Sequence, residues 1–339
     1  MNQVVVIGAG QAGLAAGFYL RRAGLDFVLL DAQTTPGGAW LHGWDSLRLF
    51  SPAQHSSLPG WPMPPYRGYP PADHVVDYLA AYEKRYEFDV RRPVRVTAVR
   101  RTDGQFEIAT DGGTWRADAV ISATGTWWRP FIPAIRGRAD FLGRQLHTVD
   151  YGGPDEFAGQ RVVVVGGGNS GAQIAADLAE VAHLTWVTRR PPRYLPDEID
   201  GRALFDIASR RQETGGVAAL GDIVAVPQVR AARDAGLLRA RPLFDRITES
   251  GPAWTDVVEP ADAVIWCTGF RPALGHLAPL QLRGRDGTVR TDGTRVVAEP
   301  RLHLLGYGDW TGPASATLIG VGPTARAAAN EIAAQLTRR

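Results

Sequence analysis

Val4-Val5-Val6-Ile7-Gly8-Ala9-Gly10-Gln11-Ala12-Gly13 opens the chain, and Val162-Val163-Val164-Val165-Gly166-Gly167-Gly168-Asn169-Ser170-Gly171 repeats its form near the middle. Each stretch is a β-branched run, a G-x-G-x-x-G turn and the start of a helical pattern. Such a turn alone is a weak signal, but the strand before it and the helix after it supply the context it needs. The first glycine permits the tight turn, the second lets backbone approach a pyrophosphate, and the third lets helix and strand pack closely. The helix N-terminus then offers free amides to phosphate. One such turn implies one dinucleotide, and two imply a relay between two.

The residue that would meet the ribose separates the sites. Asp31 ends the strand Phe27-Val28-Leu29-Leu30, and Arg189 stands equally far from Gly171, after Leu184-Thr185-Trp186-Val187 and beside Thr188 and Arg190. A carboxylate accepts from ribose hydroxyls, as FAD or NAD requires, and repels a 2′-phosphate; a guanidinium binds one bidentately. The first site, with Ala32 beside Asp31, therefore suits FAD or NAD. The second suits NADPH, with NADH accepted more weakly, unless the arginines are a solvated surface pair.

With 339 residues, 45% of them hydrophobic, the chain is long enough for two domains. A formal charge of +2 with dispersed basic residues carries no nucleic-acid footprint and no polybasic membrane tail. Lys84 is the only lysine, against Schiff-base chemistry, and Cys267 is the only cysteine, which removes any intrachain disulfide or Cys-x-x-Cys redox pair. Asn2 leads almost directly into the first strand without a charged and apolar leader, and no apolar run reaches a membrane span. The expectation is a cytoplasmic protein.

Along the chain, residues 1–31 read as strand, turn, helix (Gly13 to Arg22) and strand. Thr35 to Pro71 is a long irregular stretch rich in proline and aromatics, Asp77 to Tyr86 a helix, and Val94–Arg100, Gln105–Thr110 and Thr114–Ala117 an antiparallel meander. Ala117-Asp118-Ala119-Val120-Ile121-Ser122-Ala123-Thr124-Gly125 then recurs as Ala261-Asp262-Ala263-Val264-Ile265-Trp266-Cys267-Thr268-Gly269. A buried strand ending in small residues thus occurs once per glycine turn, which supports two homologous modules. Ala123, Thr124, Gly125, Thr268 and Gly269 are candidates for close approach of a cofactor, although a tight turn alone also explains them. Val96, in the meander, is grouped with the first site. Arg202–Arg211 carries no readable pattern. Leu302 to Trp310 reads as a strand ending in a Gly-Asp turn, and Pro323–Leu336 as the closing helix.

With these elements in order, the chain resembles the flavin-containing monooxygenases, the two-dinucleotide flavoproteins that include the Baeyer–Villiger enzymes. Phe141-Leu142-Gly143-Arg144-Gln145-Leu146-His147-Thr148-Val149-Asp150-Tyr151 is similar to the family signature F-x-G-x-x-x-H-x-x-x-W, with Tyr151 in place of tryptophan. Pro36-Gly37-Gly38-Ala39-Trp40 and Gly308-Asp309 also fall where the family has them. The resemblance implies an α/β fold of two Rossmann-like dinucleotide-binding domains, the NADPH domain (157–267) inserted into an FAD domain (1–156 and 268–339).

By that resemblance Gly8, Gly10, Gln11, Ala12 and Gly13 hold the FAD pyrophosphate and Asp31 its adenosine ribose. Gly38, Ala39 and Trp40 lie near the flavin, and Asp309 at the ribityl chain. Gly168, Asn169, Ser170, Gly171 and Arg189 hold NADPH, and His147 couples the domains or is a structural histidine. The implied reaction is NADPH reduction of flavin, capture of O2 as a C4a-hydroperoxide, and oxygen transfer to a thioether or amine; the deprotonated peroxide could instead add to a ketone. Where many members carry an asparagine beside the flavin, this chain reads Leu49-Phe50-Ser51-Pro52, which transfers that hydrogen bond to Ser51, backbone or NADP⁺. The partners implied are a small-molecule substrate and O2, with a homodimer left open. Two rivals stand beside this reading: a flavin reductase passing electrons to a partner, and a non-catalytic NADPH sensor.

Overall fold

The computed structural model describes residues 2–197, 223–255, 257–285 and 287–337, and the chain divides into two compact units. Unit 1 comprises residues 1–41, 51–128 and 272–339; unit 2 comprises 42–50 and 129–271. Arg202–Arg211 lies outside the described residues.

Unit 1 is built on strands β1 (Asn2–Ile7), β2 (Phe27–Leu30), β3 (Val90–Arg91), β4 (Val96–Thr102), β5 (Gln105–Thr110) and β6 (Gly113–Ser122). In unit 2 the strands are β7 (Arg144–His147), β8 (Arg161–Val165), β9 (His183–Thr188), β10 (Ala240–Pro242), β11 (Arg246–Thr248), β12 (Gly251–Trp254), β13 (Val257–Val258) and β14 (Ala263–Trp266). Strands β15 (Thr291–Asp292), β16 (Arg295–Val296) and β17 (Glu299–Leu304) return to unit 1.

The first sheet runs β15-β16-β17-β6-β1-β2-β3, parallel from β17 through β3. Its central strand is apolar because both faces are covered: Val4, Val5 and Val6 are fully buried. Helices α1 (Gln11–Arg22), α2 (Ala72–Arg85) and α5 (Val321–Thr337) belong to this unit, α1 lying against α5. The expected meander ends differently from its reading. Gly113–Ser122 is one strand whose first half pairs antiparallel with β5 and whose second half pairs parallel with β1. The alternation of Thr114–Ala117 and the apolar run that follows are two environments of that single strand.

The second sheet runs β10-β9-β8-β14-β7, all parallel, with helices α3 (Asn169–Leu178) and α4 (Pro227–Asp234) packed on one another; β11–β13 form a small antiparallel sheet. The sequence reading placed the divisions at 156/157 and 267/268, whereas the compact units divide at 128/129 and 271/272. The reason is β7, which hydrogen-bonds to β14 and so takes 129–156 into the second unit.

The internal repeat occupies one place in both sheets. Ser122 is opposite Ile7, directly before the Gly8 turn, and Trp266 is opposite Val165, directly before the Gly166 turn. Each central strand therefore has neighbours on both sides at a switch point, where open α/β sheets bind ligands. The Thr-Gly that closes each repeat grips one residue distant in the chain in the same way. Thr124 donates its hydroxyl to the Ala273 carbonyl at 2.8 Å, and Gly125 accepts the Ala273 N–H at 3.0 Å. Thr268 and Gly269 do the same with Phe131, at 2.5 and 2.9 Å.

Candidate functional site

In unit 1 a cleft opens at the C-terminal ends of β1 and β6. It is lined by Gly8, Gly10, Gln11, Ala12, Asp31, Ala32, Gly38, Ala39, Trp40, Val96, Ala123, Thr124 and Gly125, all singled out from the sequence. Gly13 is packed behind it rather than lining it. Gly8 has φ +98°, and a Cβ there would stand 2.7 Å from the Ala123 carbonyl oxygen. A Cβ on Gly13 would come within 1.9 Å of the Gly8 carbonyl, so these two glycines close the turn on itself. Gly10 differs: a Cβ there meets only Gly38 Cα, at an ordinary 3.6 Å, and would project where backbone amides are free. The N-cap Gly10 brings no capping side chain and the first turn of α1 has no acid, so its amides remain available to an anion.

Gln11 ties this helix start to two walls. Its Nε2 donates to the Ala316 carbonyl at 2.7 Å and its Oε1 accepts the Trp40 indole N–H at 3.0 Å. The irregular Thr35–Pro71 stretch is fastened through Tyr78, which donates to the Trp61 carbonyl at 2.7 Å and accepts the Leu58 N–H at 2.8 Å.

Asp31 is buried at the end of β2, where Arg92 Nε donates to its Oδ2 at 2.8 Å. The same guanidinium grips Glu83 with two bonds, at 2.6 and 2.8 Å. Arg92 was not visible as a site residue, since it arrives 61 positions later from beyond β3. Trp127, Trp128, Arg95, Ala273 and His276 also line the cleft without having been singled out.

Unit 2 repeats the arrangement. A Cβ on Gly166 would stand 2.2 Å from the Cys267 carbonyl oxygen and one on Gly171 2.3 Å from that of Gly166, whereas Gly168 has nothing within 4 Å. Gly168 caps α3 without a side-chain bond, no acid stands in the first turn, and Asn169 Oδ1 accepts the Val224 N–H at 2.8 Å. Beyond β9, Thr188, Arg189 and Arg190 line a second pocket together with Tyr194 and Arg241. Both Arg189 and Arg190 are exposed, and neither makes an ion pair among the described residues. Arg241, not anticipated, lies 3.9 Å over the Trp254 ring and pairs with Glu259. Ser170 sits in the first turn of α3 outside that pocket.

Five expected residues fall elsewhere. Ser51, half of a buried hydroxyl pair with Ser56 at 2.8 Å, is not part of the cleft lining. His147 accepts the Val149 N–H at Nδ1 (3.4 Å) and donates from Nε2 to the Gly269 carbonyl (3.0 Å). Burial lowers its pKa, so both nitrogens of a neutral ring are committed within unit 2. Asp309 lies on the short 3-10 turn Gly308–Trp310, outside the cleft lining. Thr268 and Gly269 are engaged with Phe131 and are absent from the second pocket's lining.

A family model described as pyridine nucleotide-disulphide oxidoreductase matches residues 5–200. A flavin-containing monooxygenase from Stenotrophomonas maltophilia is 49% identical, covers 99% of each chain and superposes with a TM-score of 0.92; a doubly substituted variant of it gives 0.93. An uncharacterized CzcO-like oxidoreductase from Geobacillus kaustophilus is 29% identical over 97% of both chains. A bacillithiol disulfide reductase from Staphylococcus aureus, at 17% identity and a TM-score of 0.74 over 98% of each chain, shares the fold. The chain belongs to the flavin monooxygenases of the pyridine nucleotide-disulphide oxidoreductase family. It is an oxidoreductase, and its family implies FAD and NAD(P)H. No helix among the described residues is long and apolar enough to cross a membrane.

Proposed function

We propose that unit 1 holds FAD, that unit 2, inserted into it along the chain, holds NADPH, and that the protein oxygenates soft nucleophiles, thioethers and amines first, with ketones as a second class. The observation that carries the two-cofactor reading is the matched pair of turns. In each, the outer glycines are closed by backbone, while a Cβ on the middle one would meet no backbone closer than ordinary contact and stands before uncapped helix amides. Those amides would take the pyrophosphate, and Asp31, held by Arg92, would accept from a ribose hydroxyl. Arg189 and Arg190 offer charge for a 2′-phosphate, which favours NADPH over NADH.

When bound, the flavin supplies reduction by NADPH and transfer of one oxygen atom from O2, while the protein binds, orients and excludes water. The chain has a single cysteine and so no dithiol pair, and burial pushes the Cys267 thiol up to about 12, which disfavours a thiolate. That favours the oxygenase over a dithiol reductase. The test is incubation with NADPH and a methyl aryl sulfide under ¹⁸O2. Labelled sulfoxide is expected; unlabelled product, or hydrogen peroxide formed in one-to-one amount with the NADPH consumed across sulfides, amines and ketones, returns the protein to the reductases. A protein that neither retains flavin nor oxidises NADPH would be the sensor.

A further inference from the structure

His276, on the short 3-10 segment Gly275–Leu280, lines the unit 1 cleft and ends a buried hydrogen-bond chain whose direction can be worked out by counting protons. The chain starts at a group that can only accept. Thr124 Oγ1 lies 2.8 Å from the Ala273 carbonyl, so the threonine hydroxyl proton is spent there. Tyr307 Oη is 2.8 Å from Thr124 Oγ1, and the tyrosine must therefore be the donor. Its proton used, Tyr307 Oη accepts, from the Thr124 N–H at 3.3 Å and from Ser122 Oγ at 3.0 Å. Ser122, having given its proton to Tyr307, can only accept from His276 Nε2, 3.1 Å away. Each hydroxyl and the imidazole has one proton to give, so no other assignment satisfies every bond.

The imidazole is thus locked as the Nε2–H tautomer, and burial, which pushes its pKa down to about 4, keeps it neutral. Its Nδ1 carries a lone pair, makes no hydrogen bond among the described residues, where the ring is bonded only through Nε2, and is not one of the fully enclosed unpartnered atoms. We propose that His276 Nδ1 is a cofactor-binding acceptor in the unit 1 cleft, taking a hydrogen bond from a sugar hydroxyl of the dinucleotide. The donor must be a hydroxyl or N–H, because a neutral nitrogen lone pair repels phosphate oxygen. The cleft then divides its labour: amides of the α1 start donate to the pyrophosphate, while Asp31 and His276 accept from hydroxyls. Ser122, Tyr307 and Thr124 are positioning residues, acting through the tautomer they impose. This inference rests on the FAD reading of unit 1.

The test is titration of deflavinated full-length protein with FAD and, separately, with ADP, followed by flavin fluorescence quenching and calorimetry. His276→Leu is expected to weaken FAD about 3- to 10-fold, the worth of one neutral hydrogen bond. His276→Asn, whose Oδ1 stands about where Nδ1 does, is expected to recover most of that loss. Weaker ADP binding would place the hydroxyl on the adenosine ribose, and unchanged ADP binding with weaker FAD would place it on the ribityl chain. Equal FAD affinity in wild type and His276→Leu overturns the proposal, whereas failure of the wild type to bind FAD overturns the reading beneath it. Nitrogen-15 shifts of the histidine rings, assigned by loss of one signal set in His276→Asn, give an independent readout in the cofactor-free protein. An Nδ1–H tautomer there would also overturn it.

Discussion

Arg92 holds Asp31 by a 2.8 Å bond from Nε to Oδ2, both side chains being about nine-tenths buried, while its two terminal nitrogens hold Glu83 on α2. One guanidinium therefore compensates two carboxylates, the buried Asp31 and the half-buried Glu83, and Asp31 is the acceptor proposed for a ribose. Replacing Arg92 by methionine leaves both acids in place without their counter-charge. A loss of roughly 3–5 kcal/mol is expected from breaking a buried ion pair, because the orphaned carboxylates keep their desolvation cost. Flavin affinity should fall as well, because the Asp31 carboxylate loses the 2.8 Å bond that orients it. Urea unfolding and flavin content per chain check both parts; a variant within 1 kcal/mol of wild type would show that the network is solvated.

Acid should destabilise the protein through its buried histidines. Burial pushes His276 and His303 down to about 4, and Arg295 adds to the effect at His303. In the unfolded chain both return to about 6.5. Between those values the unfolded state binds protons that the native state refuses. The stability they contribute is therefore complete above about pH 6.5, declines as pH falls towards 4, and is gone below that. Each is worth up to about 3 kcal/mol over the window. Asp177 acts in the opposite sense, since burial raises its carboxyl. Comparing wild type with His303→Leu in urea isolates one histidine: the slope of stability against pH between 4 and 6.5 should become shallower in the variant, and equal slopes would refute the assignment.

The parts legible in the sequence are those whose chemistry is local. A glycine turn between a β-branched strand and a helix needs only contiguous residues, so both turns, Asp31 and Arg189 could be read directly. The repeat at Ala117 and Ala261 was equally visible, but the hydrogen bonds of its Thr-Gly ends were not, because Ala273 and Phe131 lie at a distance in the chain. Arg144–His147 is too short and polar to announce itself as a strand, and only its pairing with β14 moves the division of the units to 128/129. Arg92 and His276 carry no local motif at all. Each acquires its meaning from a partner far away, Asp31 in one case and Ser122 in the other.

Coenzyme choice should follow Arg189. It is exposed at the end of β9, lines the second pocket beside Arg190, and has no ion-pair partner among the described residues to compete with a phosphate. Charged hydrogen bonds to a 2′-phosphate are worth on the order of 1.5–3 kcal/mol, or roughly ten- to a hundred-fold in KM. Arg189→Ala should raise the KM for NADPH by that factor and leave NADH nearly untouched. Steady-state oxidation of both coenzymes measures it, and an unchanged ratio would exclude this guanidinium as the reader.

The middle and last glycines of each turn should separate binding from folding. At Gly10, φ is −77° and an added Cβ finds ordinary contact, so Gly10→Ala should fold and unfold like wild type. Its methyl would nevertheless stand in the path of the pyrophosphate, and the variant should purify with little flavin. Gly13→Ala drives a Cβ to within 1.9 Å of the Gly8 carbonyl oxygen, where only backbone movement can relieve the clash. It should lose stability by several kcal/mol and flavin as a consequence. Unit 2 repeats the contrast: Gly168→Ala, with nothing within 4 Å of the new carbon, should keep FAD and full stability but weaken NADPH, while Gly171→Ala should destabilise. Flavin absorbance, thermal unfolding and NADPH titration on the four variants give a two-by-two outcome. If Gly10→Ala retained full flavin at wild-type stability, the unit 1 turn would not be the pyrophosphate cradle. If Gly168→Ala bound NADPH normally, the same conclusion would hold for unit 2 alone.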